Sequence, residues 1–363
     1  PTPAAEGLSL VPFGPIHPLL SHVFQLGLDM REENIRQAYP AFGYQYRGMH
    51  AGFEDVSLDH ARILTGRICG KCSFSYGLAL AMAIENISGM PVPERALSLR
   101  CFFAELERVS SHLLQFSTMA AHLGISCVSV KAMQTREKLL DICQAAGGSR
   151  LFMDACIPGG MTLDLPREMV YELPLLLDEV LSGAAEVEEA VLRDGLVYTR
   201  LRSAGQLSPE KVAAYGITGP DARASGCCRD SRTHGYAAYA SLDFCPRKHT
   251  GEEDAMARMM VRGSEIYDSV SMMKLLLESL PAGPVRLGGS AVRAGLGMAC
   301  VEQAEGELIC IVEVRDSGRL QVHFRSPSEA NMAGLLSLAG NSTWDELPVI
   351  LDSFGICIPC FER

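Results

Sequence analysis

The chain has 363 residues, 48% of them apolar, and 43 acidic against 32 basic side chains give a formal charge of -11. An acidic balance without long like-charge runs argues against a phosphate backbone as partner and suits docking onto proteins, so no nucleic acid is expected. No uninterrupted apolar stretch is long enough to span a bilayer, and the opening PTPAAEGLSLVPFGPIHP lacks the basic region and apolar run of a secretory signal.

Up to about residue 60, short extended pieces alternate with Gly-, Pro- and aromatic-rich turns such as GPIHP and AFGYQYRGMHAG, which predicts a small N-terminal sheet. From Ser73 the pattern turns helical, breaks at SGMPVPER, and resumes after Pro93 with Leu97, Leu106, Val109, Leu113 and Phe116 at helical spacing, ending near HLG. Further helices are predicted over TREKLLDICQAA, EMVYELPLLLDEVLSGAAEVEEAVL and EDAMARMMVRGSEIYDSVSMMKLLLESL. After LPAGPVRLGGSAVRAG, the segments GELICIVEV and RLQVHFRSP flank the turn RDSG and predict a hairpin. With no repeat and no clean linker, the expectation is a single α+β domain over 1–363. It comprises a sheet region at 1–60, a helical core at 61–285, and a hairpin with a C-terminal metal-binding segment at 286–363.

Thirteen cysteines in a chain with ample core material fit a reducing compartment, so the chain is expected to be cytoplasmic. Cys101, Cys127, Cys143 and Cys310 lie in apolar surroundings and are expected to pack in the core. Four others form two Cys-x-x-Cys pairs, Cys69 with Cys72 and Cys357 with Cys360. Each pair lets two thiolates from one turn converge on a soft ion, and together they make a four-thiolate set. Nearly the whole chain intervenes between the pairs, unlike the short spacing of a zinc ribbon. A redox dithiol, a buried zinc, an iron-sulfur cluster and two unrelated pairs are the alternative readings.

The motifs GPIHP, GYQYRGMHAG, RICGKCSFSY, VPERA, ELERVSSHLL, GPDARASGCCRDSR and the closing CFER occur in an order that resembles the large subunits of membrane-associated, energy-converting nickel-iron hydrogenases. They also resemble the related 49 kDa subunit of respiratory complex I, which lacks the metal cysteines. The resemblance covers essentially the whole chain. It implies a hydrogenase large-subunit fold and a nickel ion held by Cys69, Cys72, Cys357 and Cys360. Cys72 and Cys360 would be shared with an iron carrying carbon monoxide and cyanide. It implies reversible reduction of protons to hydrogen, with electrons from an iron-sulfur cluster in a small partner subunit. Complex I-like membrane and peripheral subunits would couple this to ion movement, holding the chain at the inner face of the membrane without a span of its own. Cys357, as a terminal thiolate, is an expected first proton acceptor. His17 of GPIHP sits where the complex I relative has a histidine near its quinone pocket; a turn histidine capping backbone groups is the other reading. The alternative function is a complex I-like coupling subunit without hydrogenase activity, with or without a metal.

The chain departs from the family pattern close to the chemistry. Tyr76 stands where the first motif continues to a histidine, and YRGMH puts Tyr46 and His50 in place of a histidine and an acid. VEQAEGE aligns Glu305 with an arginine that lies over the metal, and Gly355-Ile356 replaces Asp-Pro. Glu305 is then either a proton carrier or a residue of a solvated turn. Arg67, which opens the first motif, and Arg293, the nearest substitute for the lost arginine, are the expected cofactor-binding residues. Arg223, Asp230 and Arg232 are expected to form buried ion pairs, and His112 to be a satisfied core histidine.

Overall fold

The computed structural model describes residues 10–151, 154–288 and 291–363, so the opening nine residues of the N-terminal region lie outside it. Strands β1 (Leu10–Phe13), β2 (Gln25–Arg31) and β3 (Asn34–Ala41) form an antiparallel sheet in that order. Leu26 and Leu28 of β2 turn inward by the two-residue period of a strand and join Ile35 and Ala38 in an apolar cluster. Helices α1 (Met49–Gly52) and α2 (Leu58–Thr65) lead to α3 (Ser73–Ser88), α4 (Glu94–His122) and α5 (Ser126–Gly147). A two-strand ladder, β4 (Cys156–Ile157) with β5 (Gly160–Met161), precedes α6 (Arg167–Leu192) and the short α7 (Gly195–Leu201), α8 (Pro209–Tyr215) and α9 (Gly219–Ala224). Then come α10 (Ala255–Glu278), strands β6 (Gly295–Gln303), β7 (Gly306–Val314) and β8 (Leu320–Arg325), and helices α11 (Pro327–Ala339), α12 (Leu347–Phe354) and α13 (Ile358–Phe361).

Helix α4 is the axis of the molecule. It packs against α5 on one side and α10 on another, while α3 lies across β6 and β7. The expected C-terminal hairpin is in fact a three-stranded sheet in the order β6-β7-β8. Strand β6 was not legible because Gly295 and Gly297 depress strand propensity. A Cβ on Gly297 would lie 2.3 Å from the Ala83 carbonyl, so the missing side chain is what allows α3 to settle on the sheet. Cys101, Cys143 and Cys310 are buried as expected, but Cys127 is exposed, because the first turn of α5 faces outward.

The helical core is threaded by buried charge. Glu105 of α4 accepts from Arg108 at 3.1 Å and from Arg232 at 3.2 Å, and also takes the Ser269 and Tyr239 hydroxyls. Arg232 pairs with Asp230 at 2.7 Å. Arg223 reaches Asp230, Glu302 and Glu265 at 3.1, 2.8 and 2.7 Å. These pairs hold α4, α9, α10 and β6 in one polar seam, where each charge keeps a partner and its desolvation is offset. His112 lies 2.9 Å from the same Glu265.

Burial holds the His112 imidazole neutral, with its pKa down at about 4 in spite of the Glu265 carboxylate. The folded value is below the ordinary 6.5, so between those values the unfolded chain binds a proton that the folded chain does not. Stability is therefore full above pH 6.5 and falls as the pH drops toward 4, by on the order of 3 kcal/mol from this residue. Urea midpoints measured at pH 7 and pH 5 should fall less in His112→Gln than in the unchanged protein.

Candidate metal centre

The first Cys-x-x-Cys ends where α3 begins, with Cys72 as the residue before the first turn. That turn is capped from α4, since Phe74 N and Ser75 N donate to the Glu107 carboxylate at 2.7 and 3.1 Å. The second pair straddles the start of α13, with Cys357 preceding it, Pro359 in its first turn and Cys360 within it. Cys357 N donates to Ser328 Oγ at 2.9 Å, and the Cys360 carbonyl accepts from Arg363 at 2.6 Å and from Ser326 at 3.2 Å. One side chain joins the two loops: Arg47 donates to the carbonyls of Arg67, Ile68 and Pro359 at 2.9, 2.6 and 3.1 Å. Glu362 adds a second tie, accepting from Gly43 N and Gln45 N at 2.7 and 2.6 Å.

The sulfurs meet. Cys69 Sγ is 3.4 Å from Cys357 Sγ and Cys72 Sγ is 3.2 Å from Cys360 Sγ, all four buried. Cys69, Cys357 and Cys360 offer sulfurs that lie within 4.8 Å of one another. These separations are too long for disulfides, whose sulfurs lie about 2.05 Å apart. They are close to the roughly 3.7 Å edge of a tetrahedron of thiolates about 2.3 Å from one ion. Hydrogen bonds from the neighbouring thiols hold Cys69 well below the ordinary thiol range, while the same contacts push Cys72 and Cys360 well above it. Four packed sulfurs cannot all be anionic unless a cation replaces their protons, so this donor set fits a soft metal ion.

Two openings reach the sulfurs. One, of about 520 Å³, is lined by Tyr44, Tyr46, Arg47, Arg67 and Cys69. The other, of about 330 Å³ and mostly apolar, is lined by Leu20, His22, Lys71, Gln115, Asp352 and Cys357, among others. Lys71 Nζ lies 2.5 Å from Glu305, which also accepts from Ser111 Oγ at 2.8 Å. The Lys71 ammonium holds Glu305 below the usual carboxylate range against the effect of burial. Burial, with Lys71 nearby, takes His22 down to about 4. Behind the cavity wall, His122 Nδ1 meets the Asp352 carboxylate, which raises the His122 pKa, and Ser21 Oγ donates to Asp352 at 3.2 Å.

Fold and four-thiol cluster together define a class: the chain belongs to the family of large subunits shared by membrane-associated nickel-iron hydrogenases and the 49 kDa subunit of complex I. Residues 47–155 match the family described as nickel-dependent hydrogenase, and residues 122–293 match the respiratory-chain NADH dehydrogenase 49 kDa subunit. Among individual relatives, the carbon monoxide-induced hydrogenase of Rhodospirillum rubrum is 30% identical over 97% of this chain and 99% of its own. The membrane-bound hydrogenase alpha chain of Pyrococcus furiosus is 28% identical over 97% of this chain and 87% of its own. A chain in the solved structure of a membrane-bound sulfane sulfur reductase, an archaeal respiratory membrane complex, superposes with a TM-score of 0.93 and 26% identity. The match covers 99% of this chain and 100% of that one. No helix among the described residues is long and apolar enough to cross a membrane, and the Pyrococcus furiosus hydrogenase and the sulfane sulfur reductase are both described as membrane-bound.

The structure brings Cys69, Cys72, Cys357 and Cys360 together with Glu305 nearby, puts Arg67 on the wall of the wider opening, and leaves His17 and Arg293 apart. His17 is a turn residue: its Nδ1 accepts from Leu19 N at 3.2 Å and its carbonyl from Leu20 N, and the histidine on the cavity wall is His22. Arg67 stands at the wider opening, paired with Asp154 at 2.6 Å. Arg293 is exposed and donates its backbone N–H to Ser88 at the far end of α3, about 24 Å of helix from the cysteines. It takes no part in the site, because β6 carries the chain back to the sulfurs only at Glu305. Glu305 itself, in the two-residue turn between β6 and β7, is buried rather than solvated. Tyr46 and His50 are exposed, whereas Tyr76 is fully buried against Phe324, with its hydroxyl among Cys72, Cys360 and Arg363. Sequence reasoning missed Lys71, His22, Arg47 and the His122–Asp352 pair. Lys71 lies within the RICGKCSFSY motif, but nothing in its spacing reveals that its side chain folds back onto Glu305.

Gly219 holds this arrangement from behind. Its φ is +75°, and a Cβ there would fall 2.2 Å from the Glu305 carbonyl oxygen. Gly219→Ala should therefore destabilise the chain by about 2 kcal/mol or more and displace the β6–β7 turn. A urea denaturation curve with a midpoint equal to that of the unchanged protein would contradict the close approach.

Proposed function

We propose that the chain is the catalytic large subunit of a membrane-associated nickel-iron hydrogenase that reversibly reduces protons to hydrogen. Electrons arrive from an iron-sulfur cluster of a small partner subunit, and complex I-like membrane and peripheral subunits couple the reaction to ion movement at the inner face of the membrane. The observation that carries this reading is the convergence of four buried thiols from opposite ends of the sequence. Cys69, Cys72, Cys357 and Cys360 would hold a nickel-iron group whose iron bears carbon monoxide and cyanide. When bound, that group supplies the redox-active site at which electrons and protons combine. The chain's residues do the rest, acting as one unit because the site needs both of its ends. Arg47 and Glu362 clamp the two loops, Tyr76 and Phe324 keep the side of Cys72 and Cys360 dry, and the smaller cavity admits protons to Cys357 Sγ, where the first is held.

A second reading keeps the metal and the complex I-like assembly but replaces hydrogen chemistry with reduction of a larger acceptor. It is favoured by a cavity of about 330 Å³, far roomier than hydrogen requires, and by the likeness to a sulfane sulfur reductase chain. Nickel and iron analysis of the assembled complex, followed by infrared spectra for iron-bound carbon monoxide and cyanide, tests the first reading. Absence of both metal and bands ends it, and bands without hydrogen turnover favour the second.

A further inference from the structure

Lys71 is the one lysine or arginine among the described residues lining the smaller cavity, and it shares that wall with Cys69 and Cys357. Its ammonium is largely withdrawn from water, the side chains of Lys71 and Glu305 being 12% and 8% exposed. Glu305 holds it at 2.5 Å and is itself held by Ser111 at 2.8 Å and by the close packing of Gly219 against its backbone. The other ionisable groups near the cavity do not compete for this role. His22 is kept neutral by burial and Asp352 is engaged by His122 and Ser21. Arg47 is spent on backbone carbonyls, and Arg67 on Asp154. The Lys71 backbone N–H donates to Cys69 Sγ at 3.3 Å, which fixes the residue beside the sulfurs.

When a divalent ion replaces four thiol protons, four H⁺ leave and one M²⁺ enters, so the site becomes more negative by two charges. A buried site bears that change poorly unless a cation stands by. Resting on the metal-binding reading above, we propose that Lys71, oriented by Glu305 and Ser111, is the fixed positive charge of the thiolate site. It favours the loaded state over the empty one, and the more reduced metal over the more oxidised. Lys71 shares the cavity wall with Cys69 and Cys357; Glu305 is a positioning residue.

The test uses cobalt(II) added to metal-free full-length protein and read by thiolate-to-cobalt absorption, which needs neither nickel nor turnover. Lys71→Met alone leaves the buried Glu305 charge without its cation, so the decisive comparison is Lys71→Met/Glu305→Gln against Glu305→Gln, two variants that differ only in the Lys71 charge. Expected at pH 7 is cobalt binding at least tenfold weaker in the double variant than in Glu305→Gln, with Lys71→Arg close to the unchanged protein. In the loaded complex the midpoint potential should move negative by about 60 mV, a tenfold change in the ratio of oxidised to reduced metal for a one-electron couple. Equal cobalt affinity in Lys71→Met/Glu305→Gln and Glu305→Gln would overturn the role given to Lys71 and leave the ion pair a purely structural brace. Absence of nickel from the native complex would instead overturn the hydrogenase reading, and the cobalt titration would still decide the role of Lys71.

Discussion

Cys360→Ser should lose nickel retention and hydrogen evolution together, while the chain remains folded. The sulfur of Cys360 lies 3.2 Å from that of Cys72 and within the three-sulfur group that includes Cys69 and Cys357. A hydroxyl there is a hard, protonated donor among soft thiolates, so metal affinity should fall by more than about 100-fold, beyond what loss of a mere supporting contact costs. Fold should survive because the anchors of α13 act through the backbone and Arg363. The Cys360 carbonyl still accepts from Arg363, and Arg363 still pairs with Glu329 at 2.8 Å. Metal analysis alongside a circular dichroism melt separates the two effects. Nickel retained at one per chain in the serine variant would remove Cys360 from the ligand set.

Glu105→Ala is the expected largest loss of stability. Glu105 is fully buried and is the shared acceptor for Arg108 and Arg232, with Ser269 and Tyr239 completing its contacts. Its removal takes a shared carboxylate from two buried guanidinium groups, leaving Arg232 with Asp230 alone and Arg108 with the Gln303 and Glu302 carbonyls. The cost of breaking such a pair from one side is about 3–5 kcal/mol, several times the worth of an exposed ion pair. Glu105→Gln keeps the acceptor oxygen and should lose less. Urea denaturation of both variants measures the difference, and equal losses would mean that Glu105 acts by shape rather than by charge. The seam also touches the metal region, since Arg108 donates to the Gln303 and Glu302 carbonyls at 2.9 and 2.7 Å, just before the turn that carries Glu305. A shift of Arg108 in the variant should therefore reach Lys71.

Much of the fold was legible because the long helices announce themselves by period and by their breakers. Pro93 precedes α4, Pro166 precedes α6, and Gly89 and Gly148 follow α3 and α5 in the left-handed conformation. Strand β6 and helices α7 to α9 were not, because glycine content and short length leave no period to read. The same division runs through the site. The two cysteine pairs stand out as spacing within a turn. Glu305, His22 and Lys71 depend on which strand returns to which helix.

Local spacing along the chain was enough to select the four thiols, since two sulfurs three residues apart on a turn converge whatever surrounds them, and the order of motifs was enough to select the family. Only the tertiary structure decided that the two pairs meet and what surrounds them. It set an ammonium from the first loop against a carboxylate from the β6–β7 turn, exposed His50 and kept Arg293 at the far end of α3. The reason is physical: the spacing within each cysteine pair is a matter of short-range backbone geometry, whereas the meeting of the two pairs across 288 residues and the charge beside them depend on which distant residues pack together and lose their water.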